Sequence, residues 1–135
     1  MRFRVSLATF LLVAVSASAQ AQEKYRVYLG TYTGPMSKGI YQCELNLKDG
    51  SLSAATLAGE TSSPSFVAIH PNKKFLYAVN EGEATVSAFA IDDKSGNLTF
   101  LNSQPSQGGA PCHLVVDPTG RNVLAANYSG GSCIC

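Results

Sequence analysis

The sequence predicts an all-β fold, and three observations support this. It repeats with a period of 47 residues, because 64–71 aligns without a gap on 111–118, and 75–80 aligns on 122–127. One complete period holds four short apolar runs, separated by turns rich in Gly, Asn, Asp and Pro, which are signals of strands. No stretch after residue 22 shows the apolar period of a helix. Four strands in a period of about 40–50 residues are typical of one blade of a β-propeller.

The complete period contains its four strand signals in order. Phe66–Ile69 is apolar and β-branched, and a turn at Pro71 ends it. Phe75–Asn80 is rich in aromatic and aliphatic residues, and Thr85–Ile91 alternates in character before a polar turn. Leu98–Leu101 is the fourth run. Because these residue types suit a pleated, half-buried surface, each run is predicted to be a strand of one blade.

Two partial copies flank this complete unit. Ile40–Leu52 matches Val86–Leu98 at an offset of 46, and Val27–Thr31 matches Leu76–Asn80 at an offset of 49. The first unit therefore starts at its second strand, which a closed ring explains if the far end of the chain supplies the missing strand. The last unit stops within its third strand, at 132–135.

About two and a third blades are present, whereas propellers need at least about four. We interpret the chain as the N-terminal fragment of a longer propeller, with a small complete β domain as the alternative. Such a fragment leaves sheet edges uncovered, so we expect it to aggregate or stay partly unfolded, and to be inactive alone. The predicted organisation is a signal peptide at 1–21 and a partial propeller at 22–135, with blade 1 at about 25–60, blade 2 at about 64–104 and the start of blade 3 at about 111–135.

The first residues are typical of a secretory signal peptide. Met1–Arg4 is basic, Leu7–Ala19 is apolar and rich in small residues, and 17–21 offers cleavage sites of the small-x-small kind. The apolar stretch is shorter than the roughly 20 residues that a membrane-spanning helix needs. We therefore expect a periplasmic or secreted protein whose mature chain has no membrane span.

The charge balance argues against a polyanionic partner. The chain has ten Lys and Arg residues and nine Asp and Glu residues. Without Arg2 and Arg4 of the signal peptide, eight basic residues remain and the net charge becomes −1. Nothing in this composition suggests binding to nucleic acid or to an anionic membrane surface.

The four cysteines form no metal-binding motif. Export would permit disulfides, but Cys133 and Cys135 are two residues apart on an extended pattern, a poor geometry for pairing with each other. Cys43 lies on an apolar stripe and is expected to be a buried free thiol. Since there is no CxxC and no histidine at zinc spacing, the sequence predicts neither a metal site nor a cofactor.

Blade geometry sorts the polar residues between two faces. The first strand of a blade lies innermost and runs antiparallel to the second, so the start of strand one neighbours the end of strand two. This places Phe66 and His113 on one face and the turns 70–74 and 117–121 on the other. The face of His113 also receives Asn80, Glu81, Asn127 and Tyr128. The opposite face receives His70, Lys73, Lys74 and Arg121, which are interpreted as turn residues outside the site.

His113 is the candidate catalytic residue. It stands where the preceding copy has Phe66, and a histidine at the entrance of the central channel can accept or donate a proton near neutral pH. A histidine that hydrogen-bonds a neighbouring blade is the alternative. The candidate substrate-binding residues are Asn80, Glu81, Asn127 and Tyr128. For the two asparagines, which occupy the same position in successive blades, closing a turn is the alternative.

Several short stretches carry a resemblance to a known family. They are 28–33, 39–41, 64–66, 70–81 and, most specifically, 109–113 with 117–121 and 126–132. On these stretches the chain resembles the seven-bladed β-propeller lactonase family, which includes propeller-type 6-phosphogluconolactonases and a fungal muconate cycloisomerase. The resemblance covers 25–132.

This resemblance implies hydrolysis of a sugar lactone to the open acid, without an obligatory metal, and His113 matches the family's channel histidine. It also implies partner arginines and a glutamate from later blades, beyond Cys135. The chain departs from the pattern where Cys133 and Cys135 replace aliphatic residues. The expected partner is a small-molecule lactone, and the full-length protein is expected to be a monomer.

The implied reaction suits a histidine, because water attacks the lactone carbonyl and the developing oxyanion needs a donor. A phosphorylated sugar lactone is a cytosolic metabolite, so the export signal makes an unphosphorylated lactone an alternative substrate. The rival function is a non-enzymatic surface or periplasmic binding propeller, since Tyr77–Asn80 resembles the Tyr-Val-Thr-Asn repeats of such proteins. Binding arrays repeat the same channel residue, so the difference between Phe66 and His113 favours an enzyme.

Overall fold

The computed structural model describes residues 23–135, so the predicted signal peptide at 1–21 lies outside the described residues. In this part of the chain the regular elements are all strands, and the prediction of an all-β fold is confirmed. The ten strands are β1 (Lys24–Leu29), β2 (Gly39–Asn46), β3 (Thr56–Glu60), β4 (Phe66–Ile69), β5 (Phe75–Asn80), β6 (Thr85–Ile91), β7 (Leu98–Pro105), β8 (Gly109–Val116), β9 (Val123–Ser129) and β10 (Ser132–Ile134). Residues 23–135 contain no helix long and apolar enough to span a bilayer.

The strands form three antiparallel sheets, each a meander in chain order. Strands β1–β2–β3 and β8–β9–β10 form three-stranded sheets, and β4–β5–β6–β7 form a four-stranded sheet. Strand β4 pairs with β5 so that Phe66 lies opposite Val79 and Ile69 lies opposite Leu76. The start of the first strand therefore lies beside the end of the second, as the blade geometry predicts. Three successive sheets of this kind are propeller blades, here called blades 1, 2 and 3.

The fourth strand of blade 2 is longer than the sequence indicates. Strands β4, β5 and β6 coincide with the predicted runs, but β7 continues past Leu101 as far as Pro105. The extension pairs with β6 beyond a bulge between Ala88 and Phe89. The polar run 102–105 has no apolar alternation, so backbone pairing with β6, rather than the side-chain pattern, makes it a strand.

Strand β5 lies at the centre of the core because it is buried on both faces. Alternate side chains of a strand point to opposite faces. Leu76 and Ala78 pack with Ile40 of blade 1, whereas Val79 packs with Leu114 of blade 3. The two clusters also include Phe89 and Ala125, respectively. Burial on both faces explains why this strand is almost continuously apolar.

Hydrogen bonds reinforce both interfaces between blades. The Tyr28 hydroxyl of blade 1 donates to the Gly96 carbonyl in the β6–β7 turn of blade 2, at 2.8 Å. His70 of blade 2 lies 2.9 Å from the Gly120 carbonyl in the β8–β9 turn of blade 3. Because His70 Nδ1 accepts from the Asn72 N–H at 3.1 Å, Nε2 is the protonated nitrogen and donates to Gly120. His70 therefore joins two blades on the face opposite His113.

All four thiols are free. Cys43 is buried, as its place on an apolar stripe predicts. Cys112, Cys133 and Cys135 are exposed.

Candidate functional site

His113 lies against the residue that takes its place in the preceding blade. The ring centroids of Phe66 and His113 are 4.3 Å apart, with 42° between the ring planes. The strands that carry them, β4 and β8, lie side by side as the inner edges of their sheets. A bulge between Pro111 and His113 interrupts the pairing of β8 with β9, and bulges re-aim side chains. The residue is exposed, so its imidazole is open to a ligand at this face.

A phenol and a carboxylate meet on the same face. Tyr32, in the β1–β2 loop of blade 1, donates from its hydroxyl to Glu81 Oε2 at 2.7 Å. This hydrogen bond lowers the pKa of Glu81 and raises the pKa of Tyr32. At neutral pH, Glu81 is therefore a carboxylate and Tyr32 a protonated donor. The sequence marked Glu81 as a candidate but did not mark Tyr32, because no local pattern joins two residues 49 positions apart.

Asn80 ends β5 and is buried. Its Nδ2 donates to Thr61 Oγ1 at 2.8 Å and to the Ser62 carbonyl at 2.6 Å. Its Oδ1 accepts from the Ser87 hydroxyl at 2.6 Å. Both ends of the carboxamide are thus engaged where blade 1 leads into blade 2, an arrangement that fits the turn-closing alternative. A role of Asn80 in substrate binding stays a prediction.

Asn127 is the corresponding residue at the end of β9 and is also buried. Its Nδ2 donates to the Ser106 carbonyl at 2.9 Å and to the Ser132 hydroxyl at 3.1 Å. Its Oδ1 is buried and has no hydrogen-bond partner among residues 23–135. The adjacent Tyr128 is 81% exposed, so its ring is accessible. Binding roles for Asn127 and Tyr128 stay predictions.

The opposite face carries the basic turn residues. A cleft of about 420 Å³ opens there between blades 1 and 2, and Tyr25, Arg26 and Lys73 contribute to its lining. This cleft also includes His70, so it lies at the other end of the blades from His113. Among the residues that the structure describes, no three His, Cys, Asp or Glu side chains converge as a metal site.

Comparison with known proteins agrees with this architecture. Residues 26–134 match the lactonase family described as a 7-bladed β-propeller. The 6-phosphogluconolactonase of Bacillus subtilis (strain 168) is 44% identical over 110 residues, which cover 80% of this chain and 32% of the relative. The chain thus spans about a third of the length of the curated relatives it matches.

Solved structures show the same arrangement of strands. A candidate 6-phosphogluconolactonase from Bacteroides fragilis NCTC 9343 superposes with a TM-score of 0.77 at 38% identity, covering 86% of this chain and 33% of that chain. The periplasmic gluconolactonase of Pseudomonas aeruginosa superposes with a TM-score of 0.74 at 27% identity, covering 82% of this chain and 33% of that chain. The resemblance seen in the sequence is confirmed, and the chain belongs to the seven-bladed β-propeller lactonase family.

Proposed function

We propose that the whole protein carrying these blades hydrolyses a sugar lactone to the open acid. The observation that carries the proposal is the exposed His113 ring, held against Phe66 at the inner edge of the sheets. Membership of the lactonase family and the 44% identity to a 6-phosphogluconolactonase support the same reaction class. Because a lactone is a cyclic ester, the enzyme is a carboxylic ester hydrolase.

His113 is the general base and general acid in this proposal. Its imidazole takes a proton from water as the water oxygen attacks the lactone carbonyl carbon. The carbonyl oxygen then carries negative charge and needs hydrogen-bond donors. As the bond between the carbonyl carbon and the ring oxygen breaks, the imidazolium returns the proton to the leaving oxygen. Phe66 covers one side of the imidazole and so restricts its orientation.

The substrate-binding residues of this proposal are Glu81, Tyr128, Asn80 and Asn127. Glu81 accepts hydrogen bonds from sugar hydroxyls, and the exposed ring of Tyr128 packs against the substrate. The two buried asparagines contribute indirectly, because their side chains hold the backbone of neighbouring loop segments. Asn80 holds the segment around Ser62 in place, and Asn127 does the same around Ser106.

We also propose a periplasmic or secreted location and a monomeric enzyme. The signal-peptide pattern at 1–21 supports export, and one similar structure is that of a periplasmic gluconolactonase. In this location an unphosphorylated sugar lactone is the alternative substrate to 6-phosphogluconolactone.

The experiment is an assay of the whole protein on glucono-1,5-lactone and on 6-phosphogluconolactone. His113→Ala is expected to lower kcat/KM at least about 100-fold, the scale of general acid–base catalysis. His70→Ala changes the histidine on the opposite face and is expected to leave kcat/KM unchanged when assayed in the folded state. Full activity of His113→Ala would exclude its catalytic role. Binding of a lactone without hydrolysis would favour the non-enzymatic propeller.

A further inference from the structure

The β1–β2 loop places Tyr32 of blade 1 beside the segment that leads into β4, the first strand of blade 2. The hydroxyls of Thr33 and Ser63 share a hydrogen bond at 3.2 Å. Gly30 packs directly on the Pro64 carbonyl, since a Cβ at this glycine would lie 2.2 Å from that oxygen. The loop is therefore seated on the segment that leads into β4.

Glu81 is held by the same segment. Its backbone N–H donates to the Ser63 carbonyl at 3.3 Å. The preceding residue, Asn80, is fixed by its buried side chain, which donates to Thr61 and Ser62. The Tyr32 hydroxyl and the Glu81 carboxylate thus form their 2.7 Å hydrogen bond from two backbone segments that other contacts already hold in place. Pre-organised polar groups of this kind bind ligands with a smaller ordering cost.

The surroundings of the Tyr32–Glu81 pair point to a ligand rather than to stability. Tyr32 is 66% exposed, and a hydrogen bond that competes with water contributes little to folding. The interface between blades 1 and 2 is instead held by the buried cluster that contains Ile40 and Leu76. Val79, two residues before Glu81, lies opposite Phe66, and the Phe66 ring contacts His113, so the pair lies on the same face of the blades as His113.

We propose that Tyr32 and Glu81 form a hydroxyl-recognition pair, which makes the site select polyhydroxylated lactones over lactones that lack hydroxyl groups. Glu81 accepts from hydroxyls on the lactone ring, and hydrogen bonds to a carboxylate are among the stronger ones. Tyr32 is a positioning residue that aims this carboxylate. The inference rests on the lactonase function proposed above and adds Tyr32 as the residue that positions Glu81 for the hydroxyls of the substrate.

The test compares two six-membered lactones on the whole protein: glucono-1,5-lactone, which carries hydroxyls, and δ-valerolactone, which has none. Tyr32→Phe and Glu81→Gln are expected to raise KM for gluconolactone about 10- to 100-fold, the range that one hydrogen bond to a charged group spans. The value of kcat for gluconolactone should change little, and kcat/KM for δ-valerolactone, which offers Glu81 no hydroxyl, should fall far less than kcat/KM for gluconolactone. Tyr25→Phe makes the same chemical change on the opposite face and is the matched control.

Equal losses of kcat/KM on both lactones, or an unchanged KM for gluconolactone, would overturn the proposed role of the pair. If the whole protein hydrolyses neither lactone, the lactonase proposal fails, and calorimetric binding of glucono-1,5-lactam tests the pair separately. Weaker lactam binding by Tyr32→Phe and Glu81→Gln than by Tyr25→Phe supports hydroxyl recognition. Equal binding by these variants, or no binding by the unsubstituted protein, overturns it.

Discussion

His70 Nε2 donates to the Gly120 carbonyl at 2.9 Å and so joins blade 2 to blade 3. The imidazole lies so close that a Cβ on Gly120 would stand 2.4 Å from its ring atoms. Gly120 also has φ +72°, in the left-handed region that favours glycine. Lys73 occupies the equivalent position of the preceding repeat and has φ 61°. The left-handed backbone of this turn therefore accepts a residue with a side chain. The close approach of the His70 ring, more than the backbone angle, therefore favours glycine at position 120.

Gly120→Ala is expected to destabilise the protein more than Gly50→Ala does. Gly50 has φ +74°, and a Cβ added there would meet no atom within 4 Å, so both variants share a left-handed backbone cost of about 1–2 kcal/mol. Only Gly120→Ala collides with His70 as well. The measurement is the free energy of unfolding of the whole protein in urea. Adding His70→Ala should remove the excess, and equal effects of the two glycine variants would contradict this account.

Asp117 is expected to make stability depend on pH in the acid range. The Thr119 hydroxyl and the N–H groups of Asn122 and Arg121 donate to this carboxylate and lower its pKa to about 2. An unfolded aspartate has a pKa of about 4. Because the folded pKa is depressed, the stabilisation is fully present above about 4 and is lost as the pH falls through about 2.

The measurement for Asp117 is the free energy of unfolding between about pH 5 and about pH 2, in the unsubstituted whole protein and in Asp117→Asn. The variant should lose part of the acid-dependent fall in stability. Asp93→Asn changes another exposed aspartate and serves as the control. The same acid-dependent fall in all three proteins would argue against the hydrogen-bonded carboxylate.

Asn80→Ala is expected to lower the free energy of unfolding by about 2 kcal/mol or more, because it leaves the Ser62 carbonyl and the Ser87 hydroxyl without this partner. The matched control is Asn102→Ala on the exposed part of β7, with an expected change within about 0.5 kcal/mol. Chemical denaturation of both variants checks this. A similar small effect in the two would show that the buried carboxamide does not hold the turn.

Leu76→Ala is expected to cost about 2–5 kcal/mol, because Leu76 is fully buried between blades 1 and 2. Leu101, on β7, is largely exposed, so Leu101→Ala should stay within about 0.5 kcal/mol. Urea unfolding compares the two leucines directly. A small loss for Leu76→Ala would mean that the interface between these blades is not a packed core.

Most of the fold could be predicted from the sequence because its signals are local. Strands β4, β5 and β6 carry apolar or alternating runs between turns, and the repeat copies that pattern into the next blade. The same repeat identifies His113 as a candidate, because Phe66 occupies the equivalent position of the preceding copy. The extension of β7 to Pro105 carries no such signal, because it is held by pairing with β6.

The sequence by itself determined the all-β class, the blade repeat, the family resemblance and the sorting of residues between two faces. Each of these follows from alternation within a strand or from the register of antiparallel neighbours. Only the tertiary structure decided that Tyr32 meets Glu81 and that His70 meets the Gly120 carbonyl. These partners are 49 and 50 residues apart on neighbouring blades. They come into contact only when one sheet packs on the next, so a local sequence pattern does not predict these contacts.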